Sequence, residues 1–218
     1  PANAECFWKV RTWDADGQSS AYSQVQTFRT GDLDTPYKTT RYPLTTTRIA
    51  PVRLIRKADG HYFVDFGKAA FGTVELTLTS PTDGHEVEIH LGEVPKDNDA
   101  IDREPGGSRR YRRIPLPLRA GTHTYRVAIP PDKRNTGPKA ILMPESVGEV
   151  MPFRYMEVVN SPSPLDKSQV RQIAVHYPFD DDASRFSSSS AVLNDVWDLC
   201  KYSIKATSYC AVYVDGDP

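Results

Sequence analysis

The sequence is poor in cysteine, in long apolar runs and in net charge, and each shortage excludes a class of protein. Three cysteines in 218 residues are too few for a disulfide scaffold, and no cysteine or histidine pair has zinc spacing. No apolar run approaches the ~20 residues of a membrane helix, so we expect no membrane span. A formal net charge of −1 argues against a nucleic-acid partner. We also expect no metal and no cofactor.

Proline, by contrast, is abundant, with 18 residues among 218, against a typical share of about 5%. Because proline interrupts helices, the one window long enough for a helix is 190–208. Apolar residues recur there at intervals of three and four, as in an amphipathic helix. They are Val192, Leu193, Val196, Leu199, Cys200 and Ile204. The rest of the sequence indicates short strands and turns, and therefore a mainly β fold.

Residues 37–180 predict one antiparallel β-sandwich of seven or eight short strands, and this strand number favours the jelly-roll type. Candidate strands are Val52–Lys57, Tyr62–Phe66, Thr73–Thr79, Glu86–Leu91, Tyr111–Leu118, Thr124–Ile129, Phe153–Val159 and Val170–Tyr177. Two of them alternate strictly between polar and apolar residues, which predicts one buried face. Their apolar residues are Val74, Leu76, Leu78, Val87, Ile89 and Leu91. Asp83-Gly84 predicts a hairpin between these two strands, and Pro115 and Pro117 predict an edge strand.

The segments on either side of the sandwich look incomplete. Residues 1–31 contain two strand-like runs around an Asp16-Gly17 turn, and two strands alone do not make a stable domain. We therefore expect either the end of a domain whose beginning is missing or a hairpin added to the sandwich. Residues 184–218 contain the single helix, which we interpret as the first helix of a helical domain.

Each candidate site in the sequence also has a purely structural interpretation. The arginines of 109–113 could bind an anion or form a solvated edge, and Asp97-Asn98-Asp99 lacks EF-hand spacing and favours a solvated loop. The acidic run 180–182 is typical of a linker. Asp215 and Asp217 follow an apolar strand-like run, where catalytic side chains are commonly displayed. Paired carboxylates are the equipment of glycoside hydrolysis, although a simple turn is the alternative.

Five motifs, in order, resemble those of bacterial α-L-rhamnosidases, glycoside hydrolase family 78. The segment Tyr62–Gly72 resembles the "D-F-G, four residues, G" strand and turn of the family's β-sandwich. The other four are the hairpin Phe7–Gly17, the strand end His90–Glu93, the strand Phe153–Val158 and the helix start Phe186–Trp197. Lys68-Ala69 stand where many members have Gln-Asn, which departs from the family pattern.

This resemblance implies a fold and an activity. Residues 1–31 would end a fibronectin-III-like domain, residues 37–180 would be a β-sandwich of the carbohydrate-binding type, and residues 184–218 would begin an (α/α)6 barrel. The intact enzyme would hydrolyse terminal α-L-rhamnosyl bonds with inversion, and the remainder of that enzyme would pack on this region.

The resemblance also implies where the reaction would take place. Asp215, or alternatively Asp217, would bind the carbohydrate substrate, and the catalytic carboxylates would lie beyond Pro218. No catalytic residue would lie within this chain. On the family analogy we expect a periplasmic or secreted enzyme. The alternative is a non-catalytic β-sandwich module that binds carbohydrate or a protein partner.

Overall fold

The computed structural model describes residues 3–31, 44–97, 99–136 and 143–209. Strands account for 44% of the chain and helices for 12%, and the sheets are antiparallel, which confirms the mainly β class. Residue contacts divide the chain into two compact units, Pro1–Thr39 and Thr40–Pro218. No helix in the described ranges is long and apolar enough to cross a membrane.

The first unit is a β-ribbon. Strand β1 (Glu5–Trp8) pairs antiparallel with β2 (Gln26–Arg29). Between them, the Asp14 carboxylate accepts hydrogen bonds from the backbone N–H groups of Asp16 and Gln18, at 3.0 and 2.8 Å. Gly17 has a φ of 76°, which suits the predicted turn. The large apolar side chains of this ribbon stay exposed: Phe7, Trp8, Val10, Trp13, Tyr22, Val25 and Phe28.

In its described residues, the second unit contains ten strands, two helices and a 3-10 turn. The strands are β3 (Thr45–Ile49), β4 (Arg53–Ala58), β5 (His61–Ser80), β6 (Glu86–Gly92), β7 (Pro95–Lys96), β8 (Ala100–Ile101), β9 (Tyr111–Pro117), β10 (Gly121–Arg126), β11 (Met151–Val159) and β12 (Val170–His176). The helices are α1 (Lys133–Thr136) and α2 (Ala191–Thr207), and the 3-10 turn is Lys167–Gln169.

Strand β5 organises this unit because its two halves have different neighbours. The first half pairs with β4 and β11, and the second half pairs with β12 and β10. Beyond β11 follow β6 and then β9, while β3 lies beyond β12. Among the described strands β9 pairs only with β6, so the strand of Pro115 and Pro117 is an edge strand, as predicted.

A single large apolar core lies against both halves of β5. The alternating residues predicted to face inward are all fully buried: Val74, Leu76, Leu78, Val87, Ile89 and Leu91. Phe153, Met156 and Val158 of β11 join the same core. Period-two alternation therefore identified the buried face correctly, because it depends only on the pleat of each strand.

The predicted hairpin at Asp83-Gly84 is wrong. The segment does turn, with Gly84 at a φ of 77°, but β5 and β6 do not pair with each other. The neighbour of β5 along this stretch is β10, and β6 pairs with β9 and β11. A turn signal reports a reversal of the chain; it does not report which strands bond to each other.

Two further details of the strands differ from the sequence predictions. The candidate strands at 62–66 and 73–79 are one continuous strand, and β3 was missed because its residues are polar and largely exposed. Helix α2 forms within the predicted window of 190–208, with Ser190 at its N-cap. Cys6 and Cys200 are free, and Cys200 is exposed.

Candidate functional site

The candidate site begins with an ion pair between two of the sequence motifs. The Asp65 carboxylate on β5 accepts hydrogen bonds from Nε and Nη2 of Arg154 on β11, at 2.8 and 2.9 Å. It also accepts the backbone N–H of Gly67 at 2.7 Å, and Gly67 has a φ of 86°, a conformation that favours glycine. The hydrogen bond from Arg154 lowers the pKa of Asp65. Asp65 is therefore a fixed anion that orients Arg154.

The last glycine of the same motif is required by close packing. A Cβ atom on Gly72 would collide with the backbone carbonyl of Ile173, because β12 runs directly against β5 at this point. Glycine is therefore required at the two positions of the motif for different physical reasons. Gly67 permits the turn beside Asp65, and Gly72 permits the approach of β12.

Between these glycines, the backbone of β5 contacts helix α2. The Tyr202 hydroxyl donates a hydrogen bond to the Ala69 carbonyl at 2.5 Å, and the Lys68 ammonium lies 4.5 Å from the centre of the Tyr202 ring. Burial raises the pKa of Tyr202, so its hydroxyl stays protonated as a donor. Lys68-Ala69, the positions that depart from the family pattern, thus hold the helix against the sheet.

These contacts leave an open groove of about 550 Å³, which we call the motif groove. On the sheet side it is lined by residues 67–71, Glu93, Pro152, Arg154 and Tyr155. On the helix side it is lined by Leu199, Tyr202, Ser203, Ala206 and Thr207. Three sequence motifs and the helix of a fourth therefore meet at one place, although they are far apart in the chain.

Aromatic and cationic groups give the motif groove its chemical character. The Arg154 guanidinium lies 5.0 Å from the centre of the Tyr155 ring. Phe71 and Tyr209 are stacked with their ring centres 3.9 Å apart. Glu93 accepts the backbone N–H of Arg110 at 2.5 Å. Such a surface suits planar or hydroxyl-rich groups, but its carboxylates are already engaged in holding the fold.

A buried polar network is centred on Glu157 of β11. Glu157, with 1% of its side chain exposed, accepts hydrogen bonds from the Ile101 N–H at 2.8 Å and from His61 at 2.7 Å. Burial alone would raise the pKa of Glu157, but these bonds and the charge of Arg103 outweigh burial and lower it. Glu157 is consequently an ionised structural anchor and does not serve as a proton donor.

His90 occupies the same network and is also nearly inaccessible, at 2% exposure. Its Nδ1 lies 2.6 Å from the Tyr111 hydroxyl and 2.6 Å from Nη1 of Arg103. Burial, and after it the charge of Arg103, lowers the pKa of His90. His90 is therefore best described as a buried packing residue whose surroundings favour the neutral imidazole.

The residues predicted from sequence to form sites are distributed differently. Asp215 and Asp217 lie outside the described residues. Two of the arginines of 109–113 form ion pairs: Arg112 binds Asp132 at 2.9 Å and Arg113 binds Glu88. The acidic candidates pair with basic residues as well, Asp99 with Arg53 and Asp181 with Lys205.

Sequence reasoning missed the site-forming roles of Arg154, Glu93 and Tyr202. Two of them were present in the quoted motifs, Arg154 in Phe153–Val158 and Glu93 at the end of His90–Glu93. Nothing in the sequence indicated that these motifs would share one groove, because their proximity depends on strand order.

Comparisons with known proteins agree with this architecture. A family model described as "Rha78A-like, N-terminal immunoglobulin domain" matches residues 1–34. A second, described as "Bacterial alpha-L-rhamnosidase concanavalin-like domain", matches residues 55–115. Immunoglobulin and fibronectin-III domains share the sandwich architecture, so the first match suits the expected kind of domain. No curated protein sequence matches significantly.

Three solved structures share the fold. The α-L-rhamnosidase of Dictyoglumus thermophilum has a TM-score of 0.60 at 16% identity, over 79% of this chain and 17% of that one. The enzyme of Aspergillus terreus has a TM-score of 0.60 at 17% identity, over 87% of this chain and 20% of that one. The Streptomyces avermitilis enzyme, solved with L-rhamnose, has a TM-score of 0.57 at 14% identity, over 95% and 22%.

The chain thus spans about one fifth of the length of these solved enzymes. At such low identity the structures establish the fold, and the two family models establish the relationship in sequence. Taken together, the two matched domains and their order support a relationship to the N-terminal portion of the bacterial α-L-rhamnosidases.

Proposed function

We propose that this chain is the accessory N-terminal part of a glycoside hydrolase that removes terminal α-L-rhamnosyl residues by an inverting acid/base mechanism. The catalytic carboxylates would lie beyond Pro218. The sandwich would support the catalytic domain, and the motif groove would fix the position of α2 at the start of that domain. A periplasmic or secreted location stays a prediction from the family resemblance.

One observation carries this proposal: the family motifs converge on the contact between the sheet and α2. The Asp65–Arg154 pair, the Lys68-Ala69 backbone and Tyr202 form a continuous set of contacts from β11 through β5 to the helix. A set of contacts that positions a helix is expected where one domain leads into the next.

The described carboxylates argue against hydrolysis by the groove itself. Inversion requires one carboxyl group that gives a proton and another that activates water, about 6.5–9.5 Å apart. Asp65 and Glu157 both have lowered pKa values and hydrogen-bond partners. A carboxyl group held ionised by its neighbours is poorly suited to donate a proton.

Hydrolysis of an aryl α-L-rhamnoside tests the proposal. We expect the 218-residue chain to release no aryl alcohol, and a polypeptide that continues past Pro218 through its own coding sequence to release it. Product analysis by NMR at early times should show the β-anomer of L-rhamnose, as inversion requires. Activity in the 218-residue chain, or retention of configuration in the longer polypeptide, would contradict the proposal.

A further inference from the structure

A second cleft lies on the other side of Tyr202 from the motif groove. It is enclosed by α2 and by strands β3 and β12, and its volume is about 320 Å³. Small-molecule sites begin at about 300 Å³, so this cleft has room for a ligand of roughly monosaccharide size. Because its charged rim contains three lysines, we call it the lysine cleft.

The lysines of this cleft are unequally paired. Lys205 forms an ion pair with Asp181 at 2.7 Å. Lys201 donates to the backbone carbonyl of Asp181 at 3.3 Å, and Lys68 lies over the Tyr202 ring. Within the described residues, neither Lys68 nor Lys201 has a carboxylate within 4.0 Å. Two ammonium groups that line one cleft are thus available to an anion.

The remaining wall combines an apolar floor with fixed polar groups. Ile49, Ala70, Ala174 and Val175 form the apolar part. His176 is held in the wall by Thr47 at 2.9 Å from Nε2 and by the Tyr177 carbonyl at 2.9 Å from Nδ1. A carbonyl oxygen can only accept, so Nδ1 donates the hydrogen bond to Tyr177. An apolar floor with a few placed polar groups is typical of a small-ligand site.

The charge pattern narrows the class of ligand. An anion would pair with Lys68 and Lys201, whereas Asp198 on the same rim would repel a multiply charged ion. Asp198 could instead accept hydrogen bonds from hydroxyl groups. A ligand with one carboxylate and several hydroxyls satisfies both kinds of group.

We propose that the lysine cleft binds a sugar acid, a hexuronic acid unit, with its carboxylate on Lys68 and Lys201 and its hydroxyls toward Asp198. The choice of a sugar acid rests on the proposed glycosidase function. The lysine cleft adjoins the motif groove, because Lys68, Ala70, Tyr202 and Ala206 line both. It is separate from the catalytic carboxylates proposed to lie beyond Pro218.

Titration of the 218-residue chain with galacturonate, galactose and inorganic phosphate tests this proposal, with binding followed by calorimetry. We expect saturable binding of galacturonate that weakens as salt is added, because exposed charges are screened. We expect no saturable binding of galactose and weaker binding of phosphate. Lys68→Met and Lys201→Met should each weaken galacturonate binding by about tenfold, the value of one charge-assisted hydrogen bond.

Matched variants separate binding from folding. Lys96→Met removes an exposed lysine on β7, outside the cleft, and should leave the affinity unchanged. Lys68→Arg keeps the charge and should retain most of the binding. Thermal unfolding of each variant identifies any loss that comes from misfolding.

Several outcomes would overturn the proposal. They are absence of saturable galacturonate binding, equal binding of galactose, tighter binding of phosphate, and an affinity that neither lysine variant changes. Hydrolysis of an aryl α-L-rhamnoside by the longer polypeptide is measured separately. If the longer polypeptide hydrolyses the rhamnoside but the 218-residue chain binds no galacturonate, this inference is overturned and the proposed function stands.

Discussion

At the scale of single residues, the Asp65–Arg154 pair links two motifs that are 89 positions apart. Asp65 is mostly buried, with 14% of its side chain exposed, whereas Arg154 is 38% exposed. Two parallel hydrogen bonds fix the guanidinium plane above Tyr155. The pair therefore contributes both to stability and to the shape of the motif groove.

Asp65→Asn should lower the free energy of unfolding at neutral pH by about 1–2 kcal/mol, after allowance for the solvent around Arg154. The pKa of Asp65 is lowered in the folded state. The stabilisation by ionised Asp65 is thus fully present above its unfolded pKa of about 3.9. It is lost as the pH falls through its lower folded pKa. Urea denaturation across this range measures it.

Asp182→Asn is the matched control, because Asp182 is 82% exposed and its partner Arg185 is 83% exposed. A surface pair of this kind should change stability by less than about 0.5 kcal/mol. Equal effects of the two substitutions would show that the Asp65–Arg154 pair has no special role.

At the scale of elements, the core strands and α2 use apolar residues in opposite ways. Leu76 on β5 is fully buried, whereas Leu193 on α2 is 52% exposed. The helix faces the sheet through its more polar edge, with Lys201, Tyr202 and Lys205 half-buried. Its apolar stripe therefore contributes little to the stability of this unit.

Leu76→Ala should lower the free energy of unfolding by about 2–5 kcal/mol, because it leaves a cavity in the core. Leu193→Ala removes the same atoms from an exposed helical position and should change it by less than about 0.5 kcal/mol. Chemical denaturation of both variants measures the difference. A shift near zero for Leu76→Ala would mean that the assigned core face is wrong.

The polar network around His90 joins β6, β9 and the segment that carries Arg103. Glu88 lies 3.3 Å from Nε2 of His90 on one side, and Arg103 and Tyr111 lie at Nδ1 on the other. Burial and the neighbouring Arg103 both disfavour the imidazolium. The surroundings of His90 therefore favour its neutral form, although Glu157 and Glu88 partly offset this effect.

The free energy of unfolding should decrease as the pH is lowered through the range where His90 gains a proton. Because its pKa is lowered in the folded state, the unfolded chain binds more protons below the unfolded value of about 6.5. The contribution is present above that value and is lost as the pH falls through the folded pKa. Urea denaturation between about pH 8 and about pH 5, above the carboxylate range, should reveal this slope.

His90→Gln should reduce the slope of stability against pH, whatever it does to stability at neutral pH. His123→Gln, on the outer strand β10, is the matched control and should leave the slope of stability against pH unchanged. An unchanged slope in His90→Gln would contradict the assignment.

At the scale of the whole molecule, apolar surface remains uncovered in both compact units. The first unit exposes its aromatic side chains, and the second exposes the stripe of Val192, Leu193, Val196, Leu199 and Ile204. Contiguous exposed apolar groups usually mark an interaction surface. This agrees with the proposal that the remainder of an enzyme packs on this region.

Asp215 belongs to this scale because its predicted role depends on the longer polypeptide. There, Asp215→Asn should reduce kcat/KM for an aryl α-L-rhamnoside by roughly 10–100-fold, since a charged acceptor for a substrate hydroxyl is lost. Asp217→Asn is the matched control and should have a smaller effect. The reverse order would assign the sugar contact to Asp217, and no effect of either would contradict the prediction.

The sequence by itself determined the mainly β class, the buried face of the strands, the edge position of β9 and the extent of α2. Each of these depends on local periodicity or on proline, which act within one element. Most residues on the sheet side of the motif groove were also present as motifs, whereas Tyr202 on the helix side was not. Asp215 and Asp217, which lie outside the described residues, remain predictions.

Only the tertiary structure decided which strands are neighbours. The Asp83-Gly84 turn looked like a hairpin, yet β5 pairs with β10, because pairing depends on how the two halves of β5 share one core. The same strand order brings Arg154 to Asp65 and Tyr202 to Ala69. It also turns the charged edge of α2 toward the sheet, and this alone creates the lysine cleft.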